Sequence, residues 1–264
     1  MLAIALVGVL LCPIQDPQGP KKGGDVKSSQ QSSSKSLRTW TDKETKQKLK
    51  VFQKKVKPKK VSMPVRKEAL DELVGGKNAL LIKPLQKFIE KDSSIVLKKQ
   101  AINMLADQPK KRTRPTVLKL LKNARVIGNP QVHAGLIHAL SNTGYEPGDW
   151  KQIAETLEED YDTERVPVHE AILELVAKHK EQQALPMLLR NLDEPIPANV
   201  DVGSNPPKEY WKARWHSWDV WKPKVKEALF AVTGQRFSTA AEAKKWLKKN
   251  PLPKKGKKKK KRRK

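Results

Sequence analysis

The residue types that could do chemistry are few, and their spacing works against a catalytic set. The five histidines are His133, His138, His169, His179 and His216. His133 and His138 lie five apart, on different faces of any helix, and His169 and His179 lie ten apart with no carboxylate at metal-ligand spacing. The run "EEDYD" (158–162) has the composition of a calcium loop but lacks its glycine and distal glutamate, so it reads as a solvated helix end. Cys12 is the only cysteine, which excludes an intramolecular disulfide, a cysteine zinc site and a CxxC redox pair. No G-x-S-x-G, phosphate loop or HExxH occurs. The expectation is therefore no catalytic residue, no metal and no cofactor.

Two other groups carry binding chemistry. Trp211, Trp215, Trp218 and Trp221 are four of the seven tryptophans, spaced 4, 3 and 3 apart, which makes one stripe on a helix. Large rings in a stripe either pack as a cap on a fold or form an aromatic platform that stacks sugars, bases or cations. The cap is the reading that helical spacing favours, with Trp221, beside Pro223, expected to remain partly exposed. The second group is basic. "PKKRTRP" (109–115) places Lys110, Lys111, Arg112 and Arg114 in an expected turn. The C-terminal run adds Lys257, Lys258, Lys259, Lys260, Lys261, Arg262, Arg263 and Lys264. Such a block repels itself, offers no apolar surface, and condenses on polyanions by counterion release.

The elements that must position these groups follow from the distribution of charge and apolar residues. The 264 residues carry a net charge of +27, of which +10 lies in residues 1–60, +10 in 250–264 and only +7 in 61–249. The basic character belongs mainly to the ends. "LAIALVGVLLC" is too short to span a bilayer and suits the apolar core of a signal peptide over residues 1–15. Residues 16–39 read as a disordered linker, and 40–60 as a basic amphipathic helix, with Thr41 and Glu44 as a capping box and Leu49, Phe52 and Val56 as its apolar side. Residues 250–264 read as a disordered basic tail.

From residue 61 the chain repeats. Aligning Ala69, Ala101, Leu136, Ala171 and Ala228 places Leu73, Leu105, Leu140, Leu175 and Val232 four positions later each time. The intervals are 32, 35, 35 and 57, the last being a repeat length plus an insertion at about 194–221. A second apolar stripe follows each first one, from Leu81/Leu85/Phe88 to Ala243/Trp246/Leu247. Pro167 and Thr239 mark helix starts, and Gly144 and Gly234 mark stops. A period in the mid-thirties of paired helices predicts an all-α, right-handed α-solenoid of about five helix pairs over 61–249.

These pairs resemble HEAT repeats of the armadillo-like class. The segment "ALFAVTGQRFSTAAEAKKWLKKN" (228–250) is similar to the C-terminal module of bacterial secreted or periplasmic HEAT-repeat proteins. Thr233, Gly234, Gln235, Phe237, Glu242, Ala243 and Trp246 match its pattern. The resemblance implies a scaffold and supplies no active site. The function expected is a non-enzymatic, monomeric scaffold outside the cytoplasm, without a membrane span in its mature form. It would bind a protein partner through the repeats and an anionic polymer through the tails. A nucleic-acid-binding protein of the cytoplasm or nucleus is the alternative. A third reading, a HEAT-like DNA glycosylase, would call on the tryptophan stripe and Asp219.

Overall fold

The computed structural model describes residues 37–56, 61–158, 163–195, 199 and 201–253. The expected signal segment, most of the linker and the basic run 254–264 lie outside them, as do Lys57–Lys60. The described chain is mostly helical. In order it forms β1 (Arg38–Thr39), α1 (Asp42–Val56), α2 (Met63–Asp71), β2 (Gly76–Lys77), α3 (Ile82–Lys91), α4 (Ile95–Ala106), α5 (Lys110–Leu121) and α6 (Ala124–Ile127). Then follow α7 (Pro130–Thr143), α8 (Trp150–Glu158), α9 (Val166–His179), α10 (Leu185–Arg190), α11 (Lys208–Thr233) and α12 (Ala240–Lys249).

The ten anchor positions of the repeat occupy equivalent places. Ala69, Leu73, Ala101, Leu105, Leu136, Leu140, Ala171, Leu175, Ala228 and Val232 are all 0–8% exposed. They sit on α2, α4, α7, α9 and α11, except Leu73 in the turn that follows α2, and each of these helices packs on the next one in that order. Alanine at the first anchor lets neighbouring backbones approach, and the leucine one turn later fills the space above it. Fully burying each such leucine contributes about 1.5–3 kcal/mol. The other helices form a second row: α3 packs on α5, the Gln152 amide of α8 donates to the Leu118 carbonyl of α5 at 3.3 Å, and α10 packs on α12.

Polar ties join neighbouring units. Gln108, 2% exposed, accepts from the Asn78 main chain at 2.9 Å and donates to the carbonyls of Gly76 (3.0 Å) and Met104 (2.8 Å). One unit on, the Tyr145 hydroxyl donates to Glu181 at 2.8 Å. Burial, and then this bond to a carboxylate, push the Tyr145 phenol well above its ordinary range. At the far end Asp193 accepts from the main-chain N–H of Ala240, tying the end of α10 to the start of α12 at 2.9 Å. The helix signals act as their chemistry requires. Thr239 accepts from Glu242 N–H, while Gly144 and Gly234 adopt φ of 123° and 76° where α7 and α11 stop.

Three sequence expectations need correction. Residues 38–39 are not linker. They pair in parallel with Gly76–Lys77 and seat Trp40, 6% exposed, against Gly76, where a Cβ would stand 2.5 Å from the indole. The Lys110–Arg114 stretch is not a turn but the first turns of α5, with Pro115 inside the helix. The tryptophan stripe is not a separate capping helix either. It extends the first helix of the last pair toward its N-terminus, making the 26-residue α11 with Pro223 inside it.

Candidate partner and polyanion surfaces

Along α11 the buried side runs Ser217, Trp218, Trp221, Val225, Ala228, Leu229 and Val232. Trp218 and Trp221 are therefore core residues, 5% and 2% exposed, and the expectation that Trp221 would stay open is overturned. Trp221 sits edge-on to His169 at 4.6 Å between ring centres. Trp218 donates its indole N–H to the Asn191 carbonyl at 2.9 Å and carries Lys222 over its other side at 4.3 Å. The stripe then runs out of core to pack on. Trp211 is half-buried, and Trp215 is 39% exposed; Tyr210 and Val220 of the same helix are exposed as well. The four rings thus divide into two that hold the fold and two that overhang it. Asp219 is exposed.

The basic residues of α5 divide as well. Arg114 donates to Asp149 at 2.7 and 3.3 Å and pairs with Glu146 at 3.0 Å. Asp149 is 8% exposed and also accepts from the Glu146 main chain, so Arg114 is a structural tie from α5 to the turn before α8. Lys110, Lys111 and Arg112 are exposed and enter no ion pair among the described residues. They stand in the first turn of a helix, where the backbone dipole disfavours positive charge by about 0.3–1 kcal/mol each, so their placement adds to a local positive potential.

Several other cations are neutralised within the fold. Lys55 bridges Glu68 and Glu72 at 2.8 Å each, Lys67 meets Asp71 at 2.8 Å, and Arg66 meets the buried Asp92 at 2.9 Å. Lys224 of α11 is held by Glu174 and Glu170 of α9. The hydrogen bonds that Lys55 donates to Glu68 and Glu72 raise its pKa.

One pair comes within reach of nucleophilic geometry. Ser141 Oγ lies 3.1 Å from His179 Nε2. The same nitrogen lies 3.1 Å from the Ser141 carbonyl oxygen, so the hydroxyl shares it with the main chain. The pair ties the end of α7 to α9. His133 is 3% exposed, its Nδ1 lacks a hydrogen-bond partner, and burial followed by the Arg165 charge lowers its pKa to about 4. Among the described residues no cluster of three His, Cys, Asp or Glu could hold a metal ion, and no helix is long and apolar enough to cross a membrane.

Sequence reasoning missed two surfaces. A cleft of about 640 Å³ opens between the end of α1 and α3, lined by Phe52, Val56, Pro84 and Phe88 with Lys87 and Lys91 at its rim. Beside it Met63, Val65, Ile95 and Val96 are exposed at the neighbouring starts of α2 and α4. The lysines were legible as the i, i+4, i+8 series Lys83, Lys87 and Lys91. The apolar row was not, because its residues fall at positions where a helix start carries no core signal. No family model, curated protein or solved structure matches this chain.

Proposed function

We propose that the chain is a non-enzymatic scaffold: a right-handed α-solenoid of about five HEAT-like pairs, acting as a monomer outside the cytoplasm. A protein partner binds along the repeats, and anionic polymers bind through the basic ends. The observation that carries this reading is where charge lies. The last eleven residues hold ten cations and no acid, whereas several cations of α1, α2 and α11 are consumed by internal ion pairs. The exposed Trp215, Tyr210 and Val220 on the overhang, with Ile95 and Val96 at the other end, supply apolar contacts for a partner. The stacked anchor positions and unit-to-unit ties support the solenoid.

Removal of residues 254–264 tests the reading. The cut leaves Leu252, which packs against the core, in place. The shortened chain is expected to keep its helical circular dichroism and lose most of its affinity for DNA, heparin and anionic vesicles. The full chain should show a steep salt dependence, about 0.7–0.9 per nucleic-acid phosphate neutralised. Undiminished binding with the same salt slope would move the anion site onto the fold. A nucleic-acid-binding protein is the second reading, and Lys110, Lys111 and Arg112, exposed and without an ion pair among the described residues, favour it.

A further inference from the structure

Helices α3, α5 and α6 present a cationic face that the fold does not neutralise. On α3, Ile82, Leu85, Phe88 and Ile89 are buried, while Lys83, Lys87 and Lys91 line the opposite side at every fourth residue. On α5, Thr113, Val117, Leu120 and Leu121 are buried, and Lys111, Arg112, Lys119 and the following Lys122 are exposed. The two helices pack on each other, and α6, bearing exposed Arg125, packs on both. With Lys110, nine cations share this region, and none takes part in an ion pair among the described residues. The acids nearby are Glu90, bonded by Gln86; Asp92, paired with Arg66; Glu146 and Asp149, paired with Arg114; and Asp107 at the end of α4.

We infer that this face docks the phosphate backbone of duplex nucleic acid, without reading base sequence. The inference rests on the polyanion-binding part of the function proposed above and places a site on the fold in addition to the tails. Lysines four apart on a helix stand about 6 Å apart along its axis. Adjacent packed helices lie about 8–10 Å apart, so two cation rows face two lines of phosphate across a groove of about 6 Å. None of the exposed large apolar side chains lies on α3, α5 or α6. Single strands are gripped by stacking on exposed aromatics, and membranes by inserting apolar side chains, so both are poorly served here. Lysines, which act as point charges, dominate the face; it therefore binds backbone and confers no base preference.

The test uses the full chain, its K83Q/K87Q/K91Q variant, and a K43Q/K46Q/K50Q control on exposed positions of α1. The probes are a duplex of about 20 base pairs (roughly two turns), a single strand of equal length, heparin, and phosphatidylserine vesicles. The α3 variant is expected to bind duplex at least about tenfold more weakly, with a salt slope lower by about 3, while the α1 control changes little. K83R/K87R/K91R should retain binding. If the full chain binds duplex and the α3 variant binds it equally well, the inference fails and the tail reading stands. Equal losses on heparin or on vesicles would overturn the choice of duplex. A full chain that binds no polyanion sinks both.

Discussion

The indole N–H of Trp218 reaches the main-chain carbonyl of Asn191 at 2.9 Å, closing the insertion that separates α10 from α11. This contact makes Trp218 a clasp rather than a ligand platform. Trp218→Ala is expected to destabilise the chain by about 3–5 kcal/mol, as removal of a buried large aromatic does. Trp215→Ala, at a 39% exposed position, should cost less than about 1 kcal/mol. Urea denaturation of the two variants distinguishes the roles. Equal losses would mean that α11 is packed along its whole length.

Arg114 and its three basic neighbours should separate cleanly under mutation. Arg114→Met leaves the buried Asp149 without its partner and should cost about 2 kcal/mol of stability, with little effect on polyanion affinity. Neutralising Lys110, Lys111 and Arg112 together should do the reverse, weakening DNA binding and leaving stability the same or slightly higher, because positive charge opposes the α5 dipole. Thermal melts and filter binding on both variants check the pair. A destabilised triple variant would contradict the assignment.

His133 sets a pH dependence whose sign is fixed by its depressed pKa of about 4. Above pH 6.5 both folded and unfolded forms are neutral there. Below it the unfolded chain takes up a proton that the folded chain refuses, so stability falls as pH falls, until the folded form also titrates near 4. Between pH of about 7.5 and 5 the loss attributable to this residue is about 2 kcal/mol. His133→Leu should flatten that part of the profile in denaturation curves taken across the range. A variant with the wild-type slope would show that His133 is solvated in the folded state.

The periodic part of the fold was legible because it depends on local spacing. Ala69/Leu73 and their four counterparts announce helices that share one buried face, and each is buried where the period places it. Thr239 and Gly234 act within their own turn, so cap and stop could be read without knowing any neighbour. The candidate site was legible only in composition. Lys110–Arg114 looked like loop because Pro109 and Pro115 bracket it, yet α5 starts directly after Pro109 and runs through Pro115, forgoing the one N–H bond that residue 115 would give to the Lys111 carbonyl.

By itself the sequence determined the helical character, the period of the buried anchors, and the concentration of charge in the ends, since periodicity and charge runs are properties of neighbours along the chain. Tertiary structure alone decided which members of equal-looking groups are free. Trp218 and Trp221 meet α9 and α10, while Trp215, on the same stripe, extends past the last surface that could cover it. Arg114 is spent on Asp149, 35 residues away, whereas Lys83, Lys87 and Lys91 are exposed and form no ion pair among the described residues. Exposure and neutralisation depend on what lies across space, and no spacing along the chain encodes that distance.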